Sequence, residues 1–375
     1  MNDLMRPGTI NPSLQCKGCG ALLYFAPGTR NLKCDHCGES NAIESSNAIE
    51  SSKAQKPIQS VDYDRFVASI DQNKHTDHMK VVRCSNCGSE TVLSAFTTSD
   101  KCSFCTAPLV LSPQDGQQYL PPHYILPFEV NRQQGLDCFQ KWLKGLWWAP
   151  NDLAKKVSSS SSSLQGIYLP HWTYDTNTVT DYSGQRGDYY YTTESYSETI
   201  NGKTETRTRQ VRHTRWSSVS GRVNCSFYDL LVPASKSLPQ QSLDKLAPWK
   251  FDLMVDFDER YMSGFRSETY QIDPKEGLLL AIEQTDAEIR SEVRRDIGGD
   301  EQVIDDADTE YLDKAVKYLM LPVWTSAYNY NNKIYQFTVN ASTGEVIGQR
   351  PLSAVKIVLC VLMVLALLAA AFFLV

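Results

Sequence analysis

From Ile167 the sequence reads Ile167-Tyr168-Leu169-Pro170-His171-Trp172-Thr173-Tyr174, and here the apolar period changes to two. The aromatic run continues through Tyr182 and Tyr189 to Tyr191, residue types that suit a pleated, half-buried surface. Asn201-Gly202 then predicts a tight hairpin turn, with Tyr196 to Ile200 on one arm and Thr204, Thr206 and Thr208 alternating on the other. The returning arm carries Arg207, Arg209, Arg212 and Arg215. They read either as a solvated edge paired with Glu194, Glu198 and Glu205, the blander expectation, or as a basic edge for anionic headgroups or an acidic partner. A second Leu-Pro-x-Trp-Thr, Leu321-Pro322-Val323-Trp324-Thr325, follows 152 residues later, and Gly-Gln-Arg follows both copies at Gly184–Arg186 and Gly348–Arg350. The repeat suggests a pseudo-duplicated antiparallel sheet domain.

Helices are signalled around this sheet. Asp273-Pro274 supplies a cap and a first-turn proline, and Gly298-Gly299 a stop, so one helix is expected between them. Leu278, Ile282, Ile289, Val293 and Ile297 would face the sheet. Helical spacing at Leu136, Phe139, Leu143, Leu146 and Trp147 predicts another helix over Gln134–Val157. Its Trp142, Trp147 and Trp148 are expected in the core, with a membrane-interface surface as the alternative. Asp62 to Ile70 predicts a short helix carrying Phe66, Val67 and Ile70. The doubled hexamer SNAIES (40–45 and 46–51) reads as a spacer, and Ser158 to Ser163 as a low-complexity loop. Thr338-Val339-Asn340 with Thr343-Gly344 reads as a strand entering a turn.

Towards the N-terminus the chemistry becomes specific. Cys16-x-x-Cys19 with Cys34-x-x-Cys37 recurs, 68 residues on, as Cys84-x-x-Cys87 with Cys102-x-x-Cys105. Four thiolates per unit fit a closed tetrahedral structural zinc site with no open position for water. Each CxxC turns its chain so that two sulfurs meet one ion. Gly20, Gly38 and Gly88 follow the second cysteine of three knuckles, where positive φ is wanted, and Thr106 takes that place in the fourth. Two Zn2+ ions are expected, with iron as the alternative of equal sulfur geometry. His36 is expected exposed, because four thiolates already fill the shell. Cys138, Cys225 and Cys360 read as apolar fillers.

Composition limits the partners. Of 375 residues, 37 are Lys or Arg and 43 Asp or Glu, a net charge of −6. Residues 1–115 hold eleven basic against twelve acidic residues, without the basic stripe of a nucleic-acid reader. Protein docking or structural support is the expected role of the ribbons. The N-terminus has no secretory signal. Ile357 to Val375 carries no charge or proline, and nineteen helical residues would reach about 28 Å. A C-terminal transmembrane helix over 355–375 is therefore expected, with Arg350 and Lys356 keeping the N-terminal domains on the cytoplasmic side of an inner membrane.

Catalytic patterns fail. Gly202-Lys203-Thr204 lacks the earlier glycine of a phosphate loop, since position 197 is Ser197. Asp300, Asp305, Asp306, Asp308 and Glu310 lack the central glycine of a calcium loop. No HExxH or GxSxG occurs. No catalytic residue is assigned, and a non-enzymatic protein is expected.

The paired ribbons, the Leu-Pro-x-Trp-Thr segments, Tyr182-Ser183-Gly184-Gln185-Arg186-Gly187, Ile297-Gly298-Gly299-Asp300 and the apolar C-terminus resemble a bacterial family. It is that of the tandem zinc-ribbon (rubredoxin-type) membrane proteins labelled as similar to primosomal protein N′ (replication factor Y). The resemblance implies that the eight cysteines are the metal ligands. Family members are encoded beside SPFH and phage-shock-A-like membrane proteins, which implies such partners and an envelope-stress or membrane-organising setting. The expected architecture is α+β: a first ribbon at 1–40, a linker with a short helix at 41–80, a second ribbon at 81–112, a β-rich platform at 120–350 and the transmembrane helix. The expected function is a membrane-anchored, zinc-binding adaptor or scaffold, and the alternative a membrane-associated nucleic-acid factor without helicase activity.

Overall fold

The computed structural model describes residues 16–21, 23–43, 59–72, 80–83, 89–93, 99–101, 108–110, 122–157, 164–200, 203–237, 243, 245–268 and 270–374. The first strands, β1 (Leu23–Phe25), β2 (Asn31–Cys34) and β3 (Ser40–Ala42), form a small antiparallel sheet. Next come β4 (Val61–Asp62), α1 (Tyr63–Gln72), β5 (Lys80–Arg83), β6 (Glu90–Leu93), β7 (Ser99–Lys101) and β8 (Pro108–Val110). One half of the platform is β9 (Tyr124–Ile125), α2 (Arg132–Gly145), α3 (Leu153–Val157), β10 (Gln165–Ile200) and β11 (Lys203–Pro233). After the short β12 (Val255–Asp256), the other half is β13 (Arg266–Glu268), α4 (Pro274–Ile297), β14 (Glu301–Tyr330) and β15 (Lys333–Asn340). The chain closes with β16 (Val346–Gly348) and α5 (Ala354–Leu374).

Antiparallel sheet outweighs helix among the described residues, and its spine is three long strands in the order β11, β10, β14. The two Leu-Pro-x-Trp-Thr copies lie side by side in it. Leu169 faces Leu321, and each copy runs away from that pair in the opposite direction. A local two-fold axis therefore passes between the two leucines. The surroundings obey it. β13 pairs parallel with Ile167 and Tyr168 of β10, and β9 pairs parallel with Leu319 and Met320 of β14.

The helix caps also correspond, Asn131 on α2 and Asp273 on α4, each accepting from backbone N–H groups of its first turn. Across the axis the tryptophans exchange partners: Trp172 Nε1 donates to the Ile272 carbonyl at 2.9 Å, and Trp324 Nε1 to the Val130 carbonyl at 2.7 Å. Gly135 and Gly277 allow this approach. A Cβ on Gly135 would lie 3.2 Å from Trp324 Cδ1, and one on Gly277 3.0 Å from Trp172 Cδ1. The Gly-Gln-Arg matches do not share the symmetry, because Gly184 lies inside β10 and Gly348 ends β16.

Helix α4 runs as its caps predict, with Gly298 at φ 66° ending it. Its buried face is Gly277, Ala281, Thr285, Ile289, Val293 and Ile297. The small residues at its start let it settle on the sheet, and the larger ones pack on Tyr182, Val223 and Phe227. Leu278 and Ile282 are only half-buried. The helix expected over Gln134–Val157 is two, α2 and α3, because Pro150 denies a backbone donor and the chain turns at Leu146 to Ala149. Trp142 packs against Phe139, whereas Trp147 is 67% exposed and Trp148 37%, which overturns the core expectation for both. Helix α1 matches its prediction, with Phe66 buried against Trp172 and His123.

β6 pairs with β13 and so joins β5 to the large sheet. This contact uses the open edge of β13, a partner distant in sequence that no local pattern announces. One expectation is corrected, the transmembrane helix over 355–375 and with it the single-pass inner-membrane location. Among the described residues, no helix is long and apolar enough to cross a membrane. Lys356 folds back onto the platform, its ammonium donating to the carbonyls of Trp147 and Ala149 at 2.8 Å each.

His171 carries a pH dependence. It is 1% exposed, Nδ1 lies 3.0 Å from the Leu169 carbonyl, and burial pushes the imidazole from 6.5 down to about 4. The unfolded chain takes up this proton near pH 6.5 and the native chain only near 4. Stability is then fully present above pH 6.5 and falls as pH drops towards 4, by on the order of 3 kcal/mol. Urea midpoints between pH 7 and 4 are expected to fall more in wild type than in His171→Gln. Equal pH slopes would show that this imidazole does not resist protonation.

Candidate metal centre

The first ribbon is built around its cysteines by two equivalent turns. Cys16 N–H donates to the Ala21 carbonyl and Gly20 N–H to the Cys16 carbonyl; Cys34 N–H donates to Glu39 and Gly38 N–H to Cys34. Gly20 and Gly38 adopt φ of 72° and 77°, the left-handed conformation expected of them. The turns bring all four sulfurs within 4.8 Å of one another. Cys16 Sγ is 3.5 Å from Cys37 Sγ, and Cys19 Sγ 3.5 Å from Cys34 Sγ. A disulfide needs about 2.05 Å. A tetrahedral ion with sulfurs at about 2.3 Å sets them about 3.8 Å apart. The cluster can therefore hold a metal ion. His36 is exposed, as expected.

The electrostatics suit a ligand set. The Cys37 backbone N–H, outweighing desolvation and aided by the His36 N–H, lowers the Cys34 thiol to about 6. Cys37 is pushed up to about 12: the Glu39 N–H favours its thiolate, but the sulfurs of Cys19, Cys16 and Cys34 outweigh that. Four like charges in one small volume need a cation among them. The ribbon is also docked. Phe25 packs on Tyr261 at 5.2 Å, Gly28 N–H donates to the Phe128 carbonyl at 2.8 Å, and Ser263 Oγ to the Leu23 carbonyl at 2.5 Å.

Cys84, Cys87, Cys102 and Cys105 lie outside the described residues, as do Gly88 and Thr106. Cys138 and Cys225 pack at core edges as apolar side chains. The Arg-rich arm takes the solvated form: Arg207 pairs with Glu198 at 3.0 Å and Arg209 with Glu194 at 3.3 Å. Two features escaped the sequence reading. A groove of about 770 Å³ runs between ribbon and platform, lined in part by Asp35, Arg132, Gln165 and Arg266. Burial lowers the Arg266 guanidinium. Lys317, buried where Asp175 interrupts the register of β10, bridges Asp229 at 2.6 Å and Asp175 at 3.4 Å. Both assemble residues far apart in sequence, so periodicity carries no trace of them.

Fold and site define a two-fold, ribbon-bearing β protein with a four-cysteine knuckle pair. The chain is similar to the uncharacterized protein YdjG of Bacillus subtilis (strain 168), 25% identical over 354 residues that cover 92% of each chain. No family model and no solved structure matches it.

Proposed function

We propose that the protein is a non-enzymatic adaptor in which zinc locks each ribbon as a docking head on a rigid β platform. The observation that supports it is the convergence of Cys16, Cys19, Cys34 and Cys37. Four thiolates complete a tetrahedral shell and leave no coordination position for a substrate, so the ion's role is to hold shape. By the repeat, Cys84, Cys87, Cys102 and Cys105 hold the second ion. Partners are proteins, and the SPFH and phage-shock-A-like proteins implied by the family resemblance are the first to test. A nucleic-acid role gains no observation of its own, with 37 basic against 43 acidic residues in the chain.

Co-purification from crosslinked cells tests this reading. Replacing Cys34 and Cys37 by serine is expected to remove specific partners while the platform keeps its far-ultraviolet spectrum. An unchanged partner set in that folded variant would refute docking through the first ribbon.

A further inference from the structure

The spine loses its third strand at one level. Gly187 of β10 faces Glu301, the last pair of that ladder. Asp300 closes it, donating its N–H to the Gly187 carbonyl at 2.8 Å and accepting Tyr189 N–H on Oδ2 at 2.7 Å. Beyond this point β10 and β11 continue alone, paired only with each other from Asp188↔Arg215 to Ile200↔Lys203. That arm is about 43 Å long at about 3.3 Å per residue. Tyr189 turns its N–H to the β14 side, and by the period of two so do Tyr191, Thr193, Ser195 and Ser197. Among the described residues no strand meets them. A two-stranded ribbon is marginal alone, and an open edge recruits another strand.

The charges say which strand fits. From 188 to 200, β10 carries Asp188, Glu194 and Glu198 and no base; from 203 to 215, β11 carries Lys203, Arg207, Arg209, Arg212 and Arg215 against the one acid Glu205. The internal pairs do not exhaust them, for the Arg207 and Glu198 side chains remain 48% and 44% exposed, and those of Arg209 and Glu194 63% and 45%. Like edges would set acid against acid or base against base, which is unfavourable across strands. An acidic edge against a basic edge is complementary, and one chain carries both.

We propose that this arm is a self-association element, pairing the β10 edge of one copy with the β11 edge of a second copy of this chain. Because two different edges meet, the contact is heterologous: each pair leaves one edge of each kind open, and association continues past the dimer. β14 covers the inner part of the β10 edge, so the contact is confined to the arm. Exposed Tyr190, Tyr191 and Tyr196 add apolar area on its two faces. The inference is independent of the metal centre.

Sedimentation velocity of the full chain tests it. At low salt, wild type is expected to form concentration-dependent species larger than a dimer, which high salt disperses. Over the outer half of the arm, where Glu194 faces Arg209, Glu194→Arg with Glu198→Arg makes both edges basic and Arg207→Glu with Arg209→Glu makes both acidic. Each variant alone is expected to associate at least ~tenfold more weakly. Their mixture is expected to recover association, although neither partner regains its own internal ion pairs. Circular dichroism confirms folding. A wild type that stays monomeric at low salt, variants that associate as wild type does, or a mixture that fails to recover would each overturn the proposal; the first would mean that the charges only guard the edge.

Discussion

Removing metal from the first ribbon is expected to unfold residues 16–43 and leave the long strands folded. The ribbon has strands of three, four and three residues, around Leu23, Phe25, Leu32 and Ile43 with Cys16 and Cys34. So small an apolar cluster does not offset the conformational entropy of the segment. A structural zinc contributes on the order of 10–16 kcal/mol in comparable units. Docking on Tyr261, Phe128 and Ser263 restrains the ribbon but does not replace the four metal–sulfur bonds that would tie its two turns together. The pH direction follows from protons released on binding: Cys37, held up at about 12, must lose one, so metal affinity rises with pH. Hydrogen exchange read by mass spectrometry checks this. After a strong chelator, amides of β1 to β3 are expected to exchange at least ~10³-fold faster, with β10 and β14 unchanged. Persistent protection in the stripped ribbon would show that packing, not metal, holds it.

Trp172→Ala and Trp324→Ala are each expected to cost about 3–5 kcal/mol. Trp172 is fully buried and stacks around Tyr318 and Tyr270, and Trp324 is 5% exposed against Phe128 and Phe265. Each change opens a cavity and leaves a carbonyl, Ile272 or Val130, without its donor. Trp172→Phe separates the two effects: it keeps most of the volume and is expected to lose about 1–2 kcal/mol for the orphaned carbonyl. Urea unfolding with unchanged m-values would measure both. Losses below about 1 kcal/mol for the alanine variants would mean that the exchange of tryptophans does not tie the two halves together.

What the sequence made legible was local. α4 was readable because Asp273, Pro274 and Gly298 act within one turn of its ends. The first four-cysteine cluster was readable because sulfur geometry demands the CxxC spacing. The paired Leu-Pro-x-Trp-Thr segments announced a repeat, but not that Leu169 would face Leu321 across an axis, since register is a property of the assembled sheet. Pro150 was in view and should have ended α2; apolar spacing on both sides of it concealed the break. Length, apolarity and the absence of charge over Ile357–Val375 carried the membrane-span expectation, and no described helix meets it. The joining of β6 to β13 and the groove beside Arg266 depend on contacts between distant segments.

The axis between Leu169 and Leu321 also makes each half depend on the other for its chemistry. Neither half can satisfy its own indole N–H, because the acceptor lies in the opposite half. The correspondence is one of caps, tryptophans and parallel edge strands and not of size: one half carries a hairpin of two strands over thirty residues long, the other an eight-residue return strand and a 24-residue helix.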